Sequence, residues 1–553
     1  MQTKQKLILS LLSGVLLSAS WPFIGSLTPL VFVALLPLLW IDFESENPAK
    51  TSFLYPYLTF FVWHLFSIYW LFNVEGGFGA KFFSYFMPAV VNSTSMALAW
   101  HLALRFSLRG KINMRLFTLF AFWIAYEYFH LDWDLSFPWF QLGNVFASSP
   151  SIIQFYAYTG VLGGSVWVLL ANFSLLKLVL FIKKGKYPKS WIGIKAVSKI
   201  LIISVPLIWS SSIDYVPTPN SKSISIALVQ PNVDPYTEKF SGKSTQVQLE
   251  ELLELVNEKA PSAQLYVFPE TTLQERTHLN KMGDEYVPVG LWENTISSSY
   301  SARVLRTSLV HDKNADVLIG MSSDSLMPKG TEASFINRPI SGTGLYYRSY
   351  NAALYQTKVS DAIYHKSKLV PGVETTPFSS FFKHFKNIAL NLGGTTGGLG
   401  TQSERSVFES EYTGVKIAPI ICFESIYGAY VSEFVRNGAT VLGVITNDAW
   451  WGNSAGHKQH LMLSQIRAIE NRRWVVRSAN TGVSAIINPE GELVSQTKYD
   501  EKTVLIGNIR EENQMTFYAR FGDYLGRLAS FVAVMLLLIN ISQSMREKVA
   551  RAK

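Results

Sequence analysis

The hydropathy of this chain changes abruptly twice, and this division limits its fold more than any other feature of the sequence. Residues 1–213 form a series of apolar runs, residues 214–519 have the mixed composition of a water-soluble domain, and residues 520–543 are apolar again. About 20 consecutive apolar residues cross a bilayer as a helix. The sequence therefore predicts N-terminal transmembrane helices in 1–213, a polar domain in 214–519, and a last helix with a basic tail in 520–553.

The apolar runs predict about seven spans before the polar domain and one after it. The first two are short, so a helical hairpin or an interfacial position is the alternative for them. The first also has the form of a signal peptide, with Lys4 and Lys6 before it. The spans that follow at once favour a retained anchor. The predicted spans lie near 6–22, 26–42, 53–74, 83–105, 115–131, 156–183, 194–213 and 524–543.

Positive charge is concentrated in alternate connections between these spans. Lys and Arg accumulate in 4–6, 105–115, 183–195 and 546–553, whereas 75–81 and 132–155 carry few. Because cytoplasmic loops are the ones enriched in Lys and Arg, both chain ends are predicted to be cytoplasmic and the polar domain extracytoplasmic. The formal net charge of +9 then implies no nucleic-acid partner, since the polar domain has no basic stripe with interleaved aromatics.

The polar domain alternates strand-like with helix-like segments, which predicts an α/β layered fold. The predicted helices are 245–260, 426–437 and 456–472, and Leu249, Leu252, Leu253 and Val256 share one face of the first. Sites in such folds usually lie where strands end. The predicted strands are 223–230, 265–268, 315–321, 351–356, 362–370, 416–422, 441–446, 474–479, 484–487 and 504–509.

Cys422 is the only cysteine of the chain, and it ends the apolar run 418–421. One cysteine makes no intramolecular disulfide, so it is either a reactive thiol or a packed one. Burial alone does not decide, because free cysteines are commonly buried. Glu270 and Lys366 also end or follow strand-like runs. Together the three residues supply a nucleophile, a base and a cation, which favours reactivity.

Glu270 is the candidate base and Lys366 the candidate cation. Glu270 follows the largely apolar residues 266–269, and apolar surroundings make a carboxylate a better base; a strand-end salt bridge is the alternative. An ammonium in a low-dielectric site stabilises an oxyanion. Lys368 shares a strand face with Lys366 at period two, so the residues alone do not choose between the two lysines.

Further polar residues are candidates for supporting roles. Glu374 and Glu424 either orient the lysine and the thiol or are surface carboxylates. Asn447 and Trp450, after a strand, either line a pocket or belong to an Asx turn with interfacial tryptophans. The glycine-rich segment 393–400 lacks the Gly-Lys-Ser/Thr end of a phosphate loop, and one cysteine makes no Cys/His metal site. We expect neither a cofactor nor a metal ion.

A basic amphipathic segment lies between the candidate lysine and the glycine-rich stretch. Its aromatic residues follow helical spacing, with Lys383, His384 and Lys386 between them. It is either a helix packed on the domain or a lid that dips into the lipid interface and admits lipid. The lipid-gating candidates in this segment are Phe378, Phe381, Phe382 and Phe385.

At this point the motifs resemble those of the apolipoprotein N-acyltransferases, a membrane-bound branch of the nitrilase, or carbon–nitrogen hydrolase, superfamily. The resemblance covers nearly the whole chain, and the order and spacing of the motifs make it specific. The matching motifs are Phe-Pro-Trp at 137–139, Phe-Pro-Glu at 268–270, Tyr-His-Lys at 364–366 with Leu-Val-Pro at 369–371 and Glu374, Ile-Cys-Phe-Glu at 421–424, Asn-Asp-Ala-Trp at 447–450, and Asn-Thr-Gly-Val at 480–483.

The resemblance implies an α-β-β-α sandwich and a catalytic triad of Glu270, Lys366 and Cys422, which selects Lys366 over Lys368. It implies that Cys422 takes an acyl chain from a phospholipid, typically phosphatidylethanolamine, and passes it to the α-amine of a diacylated N-terminal cysteine of an apolipoprotein. Glu270 would be the base and Lys366 the oxyanion stabiliser. The expected setting is the bacterial inner membrane, with the catalytic domain on the periplasmic side and the protein a monomer.

Three positions depart from the common pattern of that family. Gly372 and Val373 stand where Phe-Gly is frequent, Phe423 replaces a frequent tyrosine, and Phe240 stands near the position of a frequent tryptophan. These changes leave the triad intact and bear on lipid gating. Two other functions remain as alternatives: a membrane-tethered amidase that uses the same triad on a small amide, and a non-catalytic membrane scaffold.

Overall fold

The computed structural model describes residues 1–44, 52–107, 112–183, 185, 189–234, 244–283, 285–378 and 398–552. These residues divide into two compact units. The first comprises Met1–Asp214, Ser454–Ile466 and Phe521–Lys553. The second comprises Tyr215–Asn453 and Arg467–Arg520. Residues 454–466, within the span predicted as the polar domain, therefore belong to the mainly helical first unit.

Helices build the first unit. Among the described residues, three of them are long and apolar enough to cross a membrane: Val161–Lys183, Gly193–Ser211 and Tyr524–Ala550. The number of about eight spans therefore remains a prediction. The α-helices of this unit are α1 (Thr3–Ser20), α2 (Val31–Ala34), α3 (Leu36–Glu44), α4 (Leu54–Ser67), α5 (Phe78–Arg105), α6 (Ile112–Phe129), α7 (Tyr156–Thr159), α8 (Val161–Lys183) and α9 (Lys189–Ser211), and later α15 (Tyr524–Ala552).

Two predicted spans are interrupted in the structure. The run 26–42 is divided between α2 and α3, and Pro37, which has no N–H to donate, lies in the first turn of α3. The run 156–183 breaks at Gly160, whose φ of 62° lies in the left-handed region that glycine adopts without strain. Hydropathy did not predict either break, because it records the length of an apolar run and not its backbone path.

Asn172 on α8 satisfies the backbone groups at the break between α2 and α3. Its side chain is fully buried. Its Oδ1 accepts from the Leu35 N–H at 3.0 Å, and its Nδ2 donates to the Val31 carbonyl at 2.9 Å and to the Val168 carbonyl at 2.9 Å. Buried backbone groups at a helix end need such partners, so this amide fixes α8 against the break.

We expect Asn172→Leu to lower the free energy of unfolding by about 2 kcal/mol, because a buried N–H and a buried carbonyl lose their partner. The measurement is the unfolding midpoint of the full chain in detergent. The matched control is Asn540→Leu, since the Asn540 amide makes a single long bond of 3.4 Å to the Ser107 carbonyl. Equal midpoints for the two variants would show that Asn172 does not support the break.

The second unit contains two larger β-sheets and a separate hairpin. The strands are β1 (Ser223–Gln230), β2 (Leu265–Val267), β3 (His278–Met282), β4 (Glu285–Val289), β5 (Asp316–Leu326), β6 (Arg338–Pro339), β7 (Tyr346–Gln356), β8 (Asp361–His365), β9 (Phe408–Glu409), β10 (Lys416–Ile421), β11 (Val441–Thr446), β12 (Trp474–Ala479), β13 (Ala485–Ile487), β14 (Leu493–Gln496) and β15 (Thr503–Arg510). Within the described residues, the first sheet has the order β15-β1-β2-β5-β7-β6 with β8 paired to β7, and the second has the order β14-β13-β12-β11-β10-β9.

The two larger sheets face each other. The Tyr355 ring of β7 stacks on the Phe408 ring of β9 with centroids 5.1 Å apart, and the Ser478 hydroxyl of β12 donates to the Val229 carbonyl of β1 at 2.8 Å. Gly443 on β11 leaves room for Leu318, since a Cβ there would lie 3.0 Å from Leu318 Cδ2. Close approach of the sheets thus depends on a residue without a side chain.

Helices cover the outer faces. Alternate residues of β1, such as Ala227 and Val229, pack in one core cluster with Leu252 and Val256 of a helix outside the first sheet. This is the layered α/β fold that the alternating pattern predicts, and it agrees with a nitrilase-like domain. The helices of this unit are α10 (Thr245–Lys259), α11 (Tyr300–Leu305), α12 (Gly428–Arg436), the C-terminal part of α13 (Ala455–Asn471) and α14 (Phe517–Phe521).

Each predicted strand and helix of the polar domain overlaps an observed one, although β5 and β7 extend further than predicted. The strands β3, β4, β6, β9 and β14 and the helices α11 and α14 were not predicted, and β3 and β4 form a hairpin. It has charged and polar residues, and Met282 and Val287 are exposed. Its sequence lacks the alternation that marks a half-buried strand. The strands β2, β10 and β11 each run parallel to a neighbouring strand of their sheet. Glu270, Cys422 and Asn447 follow the C-terminal ends of these three strands, in that order.

Candidate active site

Lys366 lies between two carboxylates in the interior of the second unit. Its Nζ donates to Glu270 Oε1 at 2.9 Å and to Glu374 Oε1 at 2.9 Å, and only 1% of the residue is exposed. Burial by itself lowers the pKa of this lysine, but the two carboxylates outweigh burial and raise the pKa well above its usual value. Lys366 therefore carries a positive charge at any working pH.

Asn351 on β7 connects the same two carboxylates. Its Nδ2 donates to Glu270 Oε1 at 2.8 Å and to Glu374 Oε1 at 2.9 Å. The backbone carbonyl of Asn351 accepts from the backbone N–H of Lys366 at 2.9 Å, which fixes the backbone of the lysine against β7. Each carboxylate also accepts a backbone N–H, Glu270 from Asn447 at 3.2 Å and Glu374 from Val370 at 2.8 Å. These bonds fix the direction of both carboxylates.

A glycine on β5 lets Glu270 reach this position. The Gly320 N–H donates to the Pro269 carbonyl at 3.2 Å. A Cβ at residue 320 would lie 2.5 Å from that carbonyl oxygen and 2.6 Å from Glu270 Cα. Since real Cβ atoms do not approach so closely, the backbone at 269–270 packs against the strand only where glycine stands.

Cys422 follows β10 in an unusual backbone conformation. Its φ of 49° lies in the left-handed region, which costs a residue with a side chain about 1 kcal/mol or more. The residue is 9% exposed. Burial raises the pKa of the thiol, the Glu270 carboxylate raises it further, and the Lys366 ammonium lowers it in part. The thiol is therefore neutral at neutral pH and needs a base when it acts as a nucleophile.

Glu424 lies at the centre of a separate buried group beside this site. Its carboxylate accepts from the Tyr364 hydroxyl at 2.8 Å, from the Tyr430 hydroxyl, from the Ser367 N–H at 2.7 Å and from the Ile421 N–H at 2.8 Å. Burial raises the pKa of Glu424, and these hydrogen bonds partly oppose the rise. Because Ser367 and Ile421 adjoin Lys366 and Cys422, one carboxylate connects the segments that carry the lysine and the thiol.

Comparison with known proteins assigns this domain. Residues 225–514 match the carbon–nitrogen hydrolase family, which is more than half of the chain. The chain belongs to the carbon–nitrogen hydrolase family. Residues 13–174 match a second family, described as the apolipoprotein N-acyltransferase N-terminal domain. The two matches together confirm the resemblance to the membrane-bound branch of the superfamily.

Similar proteins extend over nearly the whole chain. An apolipoprotein N-acyltransferase of Chlorobaculum tepidum is 28% identical over 543 residues, which cover 96% of this chain and 96% of that protein. Proteins with the same name from Geobacter metallireducens and Haemophilus influenzae are 26% and 25% identical, and the alignments cover 93% and 98% of this chain and 91% and 95% of the two relatives. The likeness therefore includes both units of the chain.

The two candidate lysines differ sharply in this carbon–nitrogen hydrolase domain. The strand β8 ends at His365, so the predicted strand 362–370 is too long and period two does not apply to Lys366 and Lys368. Lys366 joins the carboxylates, whereas Lys368 Nζ lies 5.1 Å from the centroid of the Tyr427 ring. The structure thus groups Lys366, and not Lys368, with Glu270.

The supporting residues lie at different places in the domain. Glu374 contacts the Lys366 ammonium directly, and the backbone N–H of Asn447 contacts Glu270. Glu424 instead accepts from the hydroxyls of Tyr364 and Tyr430. The Phe423 ring is buried and packs edge-on against Tyr427 with centroids 5.5 Å apart. Trp450 is half-buried in the short helical turn Ala449–Trp451.

Of the lipid-gating candidates, the structure describes only Phe378, which is 40% exposed and has a φ of 54°. Phe240, Phe381, Phe382 and Phe385 lie outside the described residues, so their gating role remains a prediction.

Sequence reasoning missed Asn351, Tyr364 and Tyr430 as members of the site. A signal for Asn351 is present, because its amide directly precedes the apolar residues 352–355 on a strand. A buried amide in such a run needs a partner. The tyrosines give no comparable signal, since their hydroxyls acquire meaning only next to Glu424.

Replacement of Lys366 by Met leaves two carboxylates buried without their cation. We expect the free energy of unfolding to fall by about 3–5 kcal/mol at alkaline pH. Buried, unpaired carboxylates take up protons more readily than those of the unfolded chain, so stability is regained as pH falls toward the usual carboxyl range near ~4. The measurement is the unfolding midpoint at a series of pH values.

The matched control for this variant is Lys416→Met. Lys416 is half-exposed, and its Nζ lies 3.6 Å from the exposed carboxylate of Glu409, so its loss should cost little. An equally small loss for both variants, or a deficit that grows on acidification, would contradict the description of Lys366 as a buried counter-ion.

Proposed function

We propose that this chain is an apolipoprotein N-acyltransferase, which moves an acyl chain from a membrane phospholipid to the α-amine of a diacylated apolipoprotein. The observation that carries the proposal is the buried group of Glu270, Lys366 and Glu374 beside the only cysteine, in a chain whose N-terminal part matches the corresponding family domain. Both substrates are lipids or lipid-anchored, which gives the apolar first unit a function.

In the first half-reaction, Cys422 is the nucleophile. Its thiol is neutral at rest, so Glu270 removes the S–H proton as the sulfur attacks the ester carbonyl of the phospholipid. Lys366 stabilises the oxyanion of the tetrahedral intermediate, together with nearby N–H groups. An ammonium has three N–H donors, and the carboxylates Glu270 and Glu374 accept two of them. The C–O bond of the ester then breaks, Glu270 returns its proton to the departing alkoxide, and a lysophospholipid leaves while an acyl thioester on Cys422 remains.

In the second half-reaction, the α-amine of the acceptor attacks the thioester. Glu270 takes a proton from the attacking amine and returns it to the sulfur as the C–S bond breaks, while Lys366 again stabilises the oxyanion. The products are the triacylated lipoprotein and the free thiol. The order is ping-pong, because the acceptor reacts only after the first product has left. Water competes with the amine for the thioester, and burial of Cys422 supports the acyl transfer because it excludes water.

We propose the bacterial inner membrane as the location, with the catalytic domain on the periplasmic side, phosphatidylethanolamine as the donor and a monomeric protein. The distribution of Lys and Arg supports this orientation, and Lys183 and Lys195 flank one of the connections assigned to the cytoplasm.

Intact mass tests the covalent step. After incubation of the full chain with phosphatidylethanolamine, we expect a gain of one acyl chain on the wild type, and discharge of that chain by a diacylated lipopeptide. Cys422→Ala should gain nothing, because the chain has no other thiol. No adduct with any phospholipid, from protein with an unchanged unfolding midpoint, would instead favour a membrane-tethered amidase.

Labelling of single cysteines tests the orientation. In a Cys422→Ser background, Val359→Cys in the second unit should react with a membrane-impermeant thiol reagent added to spheroplasts. Val549→Cys near the C-terminus should react only after the membrane is opened. Val359 and Val549 are both well exposed, at 78% and 58%, so access within the protein is matched. The reverse labelling pattern would invert the proposed topology.

A further inference from the structure

Thr446 adjoins the thiol of Cys422. The strands β10 and β11 are parallel, with Ile421 paired to Ile445, so Cys422 and Thr446 follow at neighbouring positions where the two strands end. The Thr446 side chain is fully buried, and hydrogen bonding from its hydroxyl lowers the pKa of the Cys422 thiol. It is therefore a polar group against the candidate nucleophile that sequence reasoning assigned only to a strand.

The same hydroxyl has a second acceptor that is held firmly in place. Thr446 Oγ1 donates to Asp448 Oδ1 at 3.1 Å, and Asp448 Oδ2 accepts from Arg477 Nη2 at 2.6 Å. Asp448 and Arg477 are both fully buried, and Arg477 also donates to the Val483 carbonyl at 2.6 Å. A Cβ at Gly482 would lie 2.6 Å from Asp448 Oδ2, so the chain also closes tightly around this carboxylate.

We propose that Thr446 is a further catalytic residue. While the Cys422 thiol keeps its proton, the Thr446 hydroxyl donates to Asp448. When the thiol loses that proton, the Thr446 hydroxyl donates to the sulfur instead. The role rests on the proposed function of Cys422 as the nucleophile. Asp448 and Arg477 are positioning residues, because they act on the sulfur only through the place at which they hold the hydroxyl. The change requires a new direction of the O–H bond, since the same hydroxyl bonds to Asp448 and also acts on the thiol.

The proton balance of this step is simple. The S–H bond of Cys422 breaks, an O–H bond forms on Glu270, and Thr446 keeps its own proton throughout. The sulfur becomes negative as Glu270 becomes neutral. In its neutral state the thiol needs no donor, but the thiolate requires one, because a buried anion without donors is costly.

The charged groups around the thiol explain why such a donor matters. Burial and the carboxylates of Glu270 and Asp448 raise the pKa of Cys422, while the Lys366 ammonium and the Thr446 hydroxyl lower it. Lys366 is shared with the second carboxylate, Glu374. The hydroxyl is thus a neutral donor at the sulfur that adds no charge to a crowded site and is not bound to either carboxylate of the lysine.

The alkylation rate of Cys422 by iodoacetamide tests this role without any lipid substrate. The full chain in detergent is followed by intact mass over a neutral to alkaline pH series, and the mass gained by Cys422→Ala is subtracted so that the rate reports on the one thiol. We expect Thr446→Val, which keeps the shape and removes the hydroxyl, to react at least about tenfold more slowly at each pH, since a hydrogen bond to a charged group shifts an equilibrium by about this much. Thr446→Ser should react within about twofold of the wild type.

The matched control is Thr440→Val at the other end of β11. Its hydroxyl bonds to Lys416 on the neighbouring strand, and at about 3.3 Å per residue it is about 20 Å from the thiol. It should leave the alkylation rate unchanged. Thr446→Ala replaces Thr446→Val if the latter does not fold, and all variants should react equally in denaturant.

A Thr446→Val rate equal to or faster than that of the wild type would overturn the proposal. So would a Thr446→Ser rate as slow as that of Thr446→Val, because the methyl group and not the hydroxyl would then matter. Since alkylation needs neither donor lipid nor acceptor, a failure here is distinct from a failure to form the acyl adduct.

Discussion

The pair of hydrogen bonds from Lys366 to Glu270 and Glu374 is the interaction on which the rest of the site depends. Two buried carboxylates repel each other, and the ammonium between them makes their burial tolerable. A buried ion group of this kind adds little net stability by itself. The ion group instead fixes a position, because the Lys366 ammonium holds the Glu270 carboxylate just after the largely apolar strand β2.

The thiol responds to the same charges in the opposite direction. The carboxylate that is positioned as a base also raises the pKa of Cys422, so the two requirements conflict. A neutral thiol that loses its proton only during attack is compatible with this conflict, whereas a permanent thiolate is not. The left-handed backbone at Cys422 and the four donors to Glu424 indicate that the surrounding fold supports an arrangement that is unfavourable locally.

Much of the fold was predictable from the sequence, and so was the choice of Glu270, Lys366 and Cys422 as candidates. The run 223–230 begins with alternating serine and isoleucine, and the run 441–446 is largely apolar. Turn residues bound both runs, so the hydrophobic pattern predicts both as strands. The hairpin of β3 and β4 was not predicted because its described residues are exposed or only half-buried, and the hydrophobic pattern is weak where no face is fully buried. The number of transmembrane spans also stays a prediction, because composition shows where an apolar run lies but not where the helix in it ends. The helix Leu54–Ser67, for example, is shorter than the apolar run 53–74 that contains it.

The sequence by itself determined the division into apolar and polar regions, the single thiol, and the chemical types of the candidate base and cation. These follow from residue identity and spacing, which folding does not alter. Only the tertiary structure decided that Lys366 and not Lys368 meets Glu270, that Asn351 joins the two carboxylates, and that Thr446 adjoins the sulfur. Such contacts join segments up to 96 positions apart, and their energies depend on burial and distance, which no local pattern of residues records.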